Sequence, residues 1–218
     1  MSAKALRVGI LGSGLMGAKL GTLFARAGHR VTFSYARSAR KLARLARDAG
    51  HGARAGTPRE AAEDADAVLL AVHWSRVADV VKQAGGLAGA VVISCSLPMN
   101  DADTELVIAH RSSGAEALAK RLRRAHVVSA FGTVPSEVLF DVWACRRRRQ
   151  RASLVVCGEE PGPKQVAMRL ARDVGFDPLD AGPLRSARWF EPFALLVAQL
   201  AYRGQRGPEV AYRFDWMR

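Results

Sequence analysis

Leu6-Arg7-Val8-Gly9-Ile10-Leu11-Gly12-Ser13-Gly14-Leu15-Met16-Gly17 decides the fold. Leu6, Val8, Ile10 and Leu11 read as a short buried strand, and three glycines follow where that strand must turn into a helix. Gly12 permits the tight turn. Gly14 lets an anion approach the backbone because no Cβ intervenes, and Gly17 lets the helix pack close to the strand. The helix start then offers free N–H groups and the positive end of a dipole to a pyrophosphate, with Leu15 and Met16 in its first turn. A G-x-G-x-x-G pattern alone is a weak signal. Here a second strand, Val31-Thr32-Phe33-Ser34, arrives on schedule after Ala27-Gly28-His29, completing the strand–helix–strand context of a dinucleotide site.

The end of that second strand selects the dinucleotide. NAD sites usually place an Asp or Glu there for the ribose 2′-hydroxyl. This chain has Ser34-Tyr35-Ala36-Arg37-Ser38-Ala39-Arg40-Lys41, with no acid. A carboxylate would repel a 2′-phosphate, whereas guanidinium and ammonium groups bind one. Arg37 and Lys41 lie one helical turn apart if the next helix starts near Ser38, so they can converge on one anion. Basic residues are unfavourable in a first helical turn unless something anionic sits there. The expectation is NADP(H) over NAD(H).

Outward from this unit, Lys19–Ala27 and Ser38–Ala49 read as helices. Thr57-Pro58-Arg59-Glu60 is a capping box that starts a short helix. Ala67–Val72 and Ala90–Ser94 are continuous apolar runs, as central parallel strands are. The alternation implies an α/β, Rossmann-like doubly wound parallel sheet with right-handed crossovers. Ligands in such sheets lie outside the carboxyl ends of the strands. That places Val72-His73-Trp74 and Ser94-Cys95-Ser96-Leu97-Pro98 near the nicotinamide half. His73 reads as a strand-end polar residue and not a catalyst, since hydride transfer needs no imidazole and the sequence sets no carboxylate beside it. Asn100–Gly114 reads as a loop, Glu116–Arg124 as a helix, Val127–Phe131 and Ala152–Cys157 as strands, and Glu160–Val174 as a helix. Arg185–Tyr202 reads as a long helix with a kink or break at Pro192. Its Trp189, Phe193, Leu196 and Leu200 stripe is expected to be core or a homodimer interface. The division expected is a dinucleotide-binding domain over 1–150 and a C-terminal segment over 151–218.

The 218 residues are 49% apolar and carry a formal net charge of +13. Such a balance points to acidic ligands, nucleic acid or an anionic surface. Arg146-Arg147-Arg148-Arg149-Gln150-Arg151 is the sharpest charge run and reads first as a solvated loop. No aromatic residue interleaves to stack bases, which disfavours nucleic acid. Cys95, Cys145 and Cys157 form no C-x-x-C and no pairable framework, as expected of structural thiols in a reducing cytoplasm. Met1-Ser2-Ala3-Lys4 runs directly into the first strand, so no leader is expected. The longest apolar stretch, Phe193–Tyr202, is too short to span a bilayer, so no membrane partner is expected. No metal-ligand cluster, nucleophilic triad or carboxylate pair stands out, so no catalytic or metal residue is assigned.

The chain resembles the NADPH:coenzyme F-420 oxidoreductases and their wider group of small dinucleotide-binding reductases. The markers are Gly12–Gly17, Ala27-Gly28-His29, Arg37, Ala71-Val72-His73-Trp74, Val127–Pro135 and Leu179-Asp180-Ala181-Gly182-Pro183-Leu184. The resemblance implies that Ser13, Arg37 and Lys41 hold the 2′-phosphate region of NADP. It implies hydride transfer between C4 of nicotinamide and C5 of a deazaflavin, two flat rings stacked within roughly 3–3.5 Å, with no nucleophile or general base required. It implies that the second ring lies near Ala181-Gly182-Pro183 and Gly207-Pro208-Glu209. It also implies that a basic surface recruits the phosphate and glutamates of coenzyme F-420. Two positions depart from the family: His73 stands where Pro is frequent, and Gly132 where His or Asn is common near the second substrate, with a donor lost and space gained. Flavin, imine or carbonyl reduction, and a non-catalytic NADPH sensor, are the alternative readings.

Overall fold

The computed structural model describes residues 4–217; residues 1–3, on which the expected absence of a leader partly rests, lie outside it. Eight strands form one sheet in the order β3-β2-β1-β4-β5-β6-β7-β8. They are β1 (Arg7–Leu11), β2 (Arg30–Ser34), β3 (Arg54–Ala55), β4 (Ala67–Leu70), β5 (Val91–Ser94), β6 (His126–Ser129), β7 (Ser153–Gly158) and β8 (Asp177–Asp180). Between and after them run α1 (Leu15–Arg26), α2 (Ala39–Ala49), α3 (Pro58–Ala62), α4 (Val77–Ala84), α5 (Gly114–Arg121), α6 (Leu139–Ala144), α7 (Pro161–Asp173) and α8 (Ala187–Tyr202). The doubly wound α/β architecture is the expected one.

Strand alternation divides the core in two. Ile10, Leu69, Ile93 and Val128 face one side with Leu20, Phe24 and Phe33. Their neighbours Leu11, Leu70, Val92 and Val127 face the other, under α4, α5 and the start of α8. Phe24, Phe131 and Phe176 meet edge-to-face at 6.1 and 6.2 Å, binding the β8 end of the first core to α1.

Direction along the sheet is the feature that periodicity could not supply. β1 to β6 are mutually parallel, but β7 runs antiparallel to β6, pairing Val128 with Gly158 and Ser129 with Cys157. β8 is parallel to β7, Val156 in register with Asp180. The carboxyl ends of β7 and β8 therefore point the opposite way from those of β1, β4, β5 and β6. Both strands come from residues 151–218 and belong to the sheet built by the first 150.

α8 also differs from expectation. The helix is continuous through Pro192, which sits in its second turn, so no break occurs there. The helix face seated on the core is Ala187, Phe190, Ala194, Val197 and Ala201. Trp189, Leu196 and Leu200 are exposed and Phe193 is half-buried, so the stripe read from the sequence is not core. A one-residue offset between two sets of apolar positions makes the two faces indistinguishable by periodicity. Glu191 lies on the side of the buried face away from that stripe, is itself buried, and accepts from Gly114 N–H at 2.8 Å and Ala115 N–H at 3.0 Å, at the start of α5. Among the described residues no helix is long and apolar enough to cross a membrane.

Candidate functional site

A cleft of about 1040 Å³ opens at the carboxyl ends of β1, β2 and β4. Its floor is the glycine turn. A Cβ on Gly12 would stand 2.3 Å from Ala71 O, at φ +112°, and a Cβ on Gly17 would stand 1.8 Å from Gly12 O. Both positions therefore require glycine for packing. Gly14 differs: a Cβ there meets nothing within 4 Å, because it would enter the cleft itself. Gly14 is the N-cap of α1 with no side-chain cap, and the first turn has no acid, so the first N–H groups of the helix face the cleft unclaimed by side chains.

Ser13 is buried and tied elsewhere. Its hydroxyl donates to Ser34 O at 2.8 Å and its N–H to Tyr35 O at 3.1 Å, locking the turn to the end of β2. The expected phosphate donor is thus committed to backbone. Leu15 is exposed at the mouth, whereas Met16 packs back against the first core.

The cations converge as their spacing predicts. Ser38 caps α2, accepting from Lys41 N–H at 3.3 Å, and Arg37, Lys41, Arg44 and Arg76 all line the cleft. None of the four has an acid within ion-pair distance among the described residues. Lys19 also lines it, but its Nζ donates to Ser136 O at 2.9 Å. Arg44 and Arg76 escaped the sequence reading. Arg44 sits three residues past Lys41 on one helix face, a signal that was present; Arg76 reaches the cleft only because β4 lies beside β1. Tyr35 occupies the place of the NAD-site acid, at φ +56°, and its hydroxyl donates to Asp79 Oδ2 at 2.6 Å.

Val72 and His73 line the far side. The expectation that His73 lacks a carboxylate neighbour is corrected: Asp103 Oδ1 lies 3.2 Å from its Nε2, brought by the loop after β5. Nδ1 accepts from Ser75 N–H at 3.3 Å, which leaves the ring proton on Nε2, where Asn100 O is also 3.2 Å away. Both nitrogens are thus engaged: Nε2 fastens the 100–104 loop to the end of β4, and Nδ1 holds the turn at Ser75. A separation of 30 residues hid the partner.

The remaining expected site residues fall in three places. Ser94 and Pro98 are buried beneath the cleft, Pro98 packed under Gly114 at the start of α5. Leu97 and Gly132 meet each other beyond β5 and β6. A Cβ on Gly132 would stand 3.3 Å from Cys95 O and from Leu97 Cδ2, so this glycine fills a tight contact and does not open space. Ala181 and Gly182 do not line the cleft. The reversed direction of β7 and β8 carries the chain there toward the amino ends of the parallel strands. Gly182 is held at that position by Gly158 N–H at 3.1 Å and Lys164 Nζ at 3.4 Å donating to its carbonyl. Ala181 and Gly182 stand two strands beyond β6, level with Ser129 and Val128. What stands beside Gly132 instead is Thr133, whose Oγ1 is 2.6 Å from the hydroxyl of Tyr212, in the C-terminal tail.

Cys95 and Cys157 have their thiols pushed up to about 12 by burial, and no cysteine is disulfide-bonded among the described residues. Neither of these two thiols is a ready thiolate. The chemistry of the cleft is that of binding: donors and cations for an anionic dinucleotide, with an open backbone at Gly14 where a pyrophosphate fits.

Residues 7–98 match the family described as "NADP oxidoreductase coenzyme F420-dependent". The rat metalloreductase STEAP3 is 30% identical over 194 residues, covering 88% of this chain and 37% of its own length. The F420-dependent NADP reductase of Methanocaldococcus jannaschii is 29% identical over 148 residues, 65% of each chain. The chain thus spans about a third and about two thirds of these curated relatives. Among solved structures, a candidate F420-dependent NADP reductase from Arthrobacter sp. FB24 superposes with a TM-score of 0.84 at 18% identity, over 97% of this chain and 100% of that one. A reductive aminase from Aspergillus terreus in complex with NADPH and ethyl levulinate gives 0.65 at 18%, over 90% and 61%. Both structures share the fold. Residues 7–98 thus carry that family's sequence signature, on a sheet with the architecture these structures share.

Proposed function

We propose that this protein transfers a hydride between NADPH and a flat, deazaflavin-type acceptor such as coenzyme F-420. The observation that carries the cofactor half is the set of four cations, Arg37, Lys41, Arg44 and Arg76, lining one cleft without acid partners. Their charge suits a 2′-phosphate, and the uncapped start of α1 beside Gly14 suits a pyrophosphate. NADPH, when bound, supplies the hydride. The protein's residues orient the dinucleotide, with Val72 and Leu97 at the strand ends on its nicotinamide side, and keep water from the rings. Residues 1–150 then act as the cofactor-binding part and 151–218 complete the acceptor side, through Tyr212 beside Thr133. Two copies pair through the exposed Trp189, Leu196 and Leu200 of α8, giving a homodimer working in the cytoplasm.

A second acceptor class has a specific observation behind it. The relative with 30% identity over most of this chain is named a metalloreductase, and the aligned NADPH-bound structures include imine-reducing enzymes. Purified protein oxidising NADPH, with coenzyme F-420 and with free flavins compared under one set of conditions, separates the readings. Faster turnover of the deazaflavin is the expected result; turnover confined to flavin or to an imine moves the assignment to that acceptor. NADPH bound with no turnover of any of them makes the protein a sensor.

A further inference from the structure

We infer that the arginine run before β7 and the C-terminal tail together form a binding site for the polyanionic tail of the second substrate. This rests on the reading of a reductase with a flat acceptor given above. Arg148, Arg149, Arg151 and Arg213 line one hollow of about 620 Å³ with Gln150, and Asp177 and Asp215 complete the lining, so the cations outnumber the acids four to two. The 148–151 run, Asp177 at the start of β8 and the C-terminal tail build it, and the run and the tail, more than 60 residues apart in sequence, are pinned together. Ser153 N–H donates to Tyr212 O at 2.8 Å, and Phe214 N–H donates back to Ser153 Oγ at 3.0 Å. A merely solvated loop has no need of a second strand of chain holding a further arginine against it.

The charges are unevenly spent. Arg151 has Asp177 at 3.8 Å, and Arg213 is paired with Asp215. Arg148 and Arg149 have no acid within ion-pair distance among the described residues. Two free guanidiniums beside two screened ones select a ligand with several spaced carboxylates or phosphates, and planar bidentate partners suit them. The hollow also stands next to the reacting edge. Arg213 follows Tyr212, whose hydroxyl touches Thr133 Oγ1; Thr133 follows Gly132, which packs on Leu97 at the end of β5. One tyrosine side chain thus separates the arginines from the carboxyl ends of the sheet. The ring of an acceptor at Thr133 and an anionic tail at Arg148 and Arg149 fit one extended molecule. The stacking aromatics that a nucleic-acid groove uses are missing from the run.

The test uses the full chain at saturating NADPH. KM is measured for coenzyme F-420 and for the same deazaflavin lacking its phosphate and glutamates, in the native protein and in an Arg148→Gln/Arg149→Gln variant. Both side chains are exposed, so the variant keeps its fold, and an Arg59→Gln variant serves as control. The native protein should favour the tailed form, with the preference shrinking as salt rises. The double variant should lose about three- to tenfold of it, the scale of two exposed ion pairs, with kcat and the KM for NADPH unchanged. Equal KM values for the two forms in the native protein, or an undiminished preference in the variant, overturn the inference. If neither deazaflavin is reduced while flavin is, the acceptor reading falls by itself. Tripolyphosphate binding by calorimetry then decides the hollow: affinity lost in the variant supports an anion site there, and none in the native protein ends it. An oligonucleotide outcompeting the tailed acceptor would reassign the hollow to nucleic acid.

Discussion

At the scale of single residues, three glycines in one motif carry different physical loads. Gly17 touches Gly12 O, so Gly17→Ala must move backbone and should destabilise the protein by about 1–3 kcal/mol, the usual cost of overpacking. A Gly14→Ala Cβ meets only open cleft, so the midpoint of thermal unfolding should fall by no more than about 2–4 °C, the cost of alanine at an N-cap. Its NADPH affinity should nevertheless fall, because the methyl occupies space the pyrophosphate needs. Paired melting curves and NADPH titrations on both variants check this contrast; a large drop in melting temperature for Gly14→Ala contradicts it. Charge is tested at Arg37. Arg37→Glu replaces a charge-assisted contact by repulsion and should weaken NADPH by about 2 kcal/mol while changing NADH much less. Calorimetry showing equal losses for the two cofactors would remove Arg37 from the 2′-phosphate.

Among the elements, the joint between α5 and α8 has a pH signature. Glu191 is buried against the first N–H groups of α5, and burial outweighs those donors, pushing its carboxyl up to about 7. Beside it, Arg188 donates to Glu116 at 2.7 and 2.9 Å, holding that carboxyl below its usual range. For Glu191 the folded value is raised, so the native state keeps a proton that the unfolded chain releases above about pH 4.5. Its contribution to stability is full below that pH, declines through pH 5 and 6, and is lost above about 7. The slope is at most about 1.4 kcal/mol per pH unit. Denaturant titrations at pH 5, 6 and 7.5 should show that slope reduced in Glu191→Gln; parallel curves for the two proteins would exclude Glu191 as its source.

For the molecule as a whole, the exposed apolar face of α8 is the feature the single chain leaves without a partner. A helix apolar on both faces is normally covered, and Trp189, Leu196 and Leu200 are 65%, 54% and 55% exposed. Two such patches meeting about a two-fold axis bring the buried area toward the ~1,000 Å² that a specific interface needs. Leu196→Glu with Leu200→Glu should convert a dimer to a monomer in sedimentation velocity without unfolding it, since both side chains lie outside the core. A native protein that sediments as a monomer at micromolar concentration contradicts the pairing.

The sequence by itself determined the doubly wound fold, the glycine turn and the basic character of the cleft at Arg37 and Lys41. These depend on local periodicity, on backbone freedom and on charges one helical turn apart, all of which a linear chain displays. Tertiary structure alone decided the partners that meet across the sheet. It brought Asp103 to His73 and Arg76 to Arg37. It seated α8 on the face one residue along from the apolar stripe, and it set Gly182 outside the cleft lining while bringing Tyr212 to Thr133. The physical reason is common to all of these. A strand's pattern of apolar residues reads the same in either direction, and neighbours in a sheet are chosen by crossovers that periodicity along the chain does not encode.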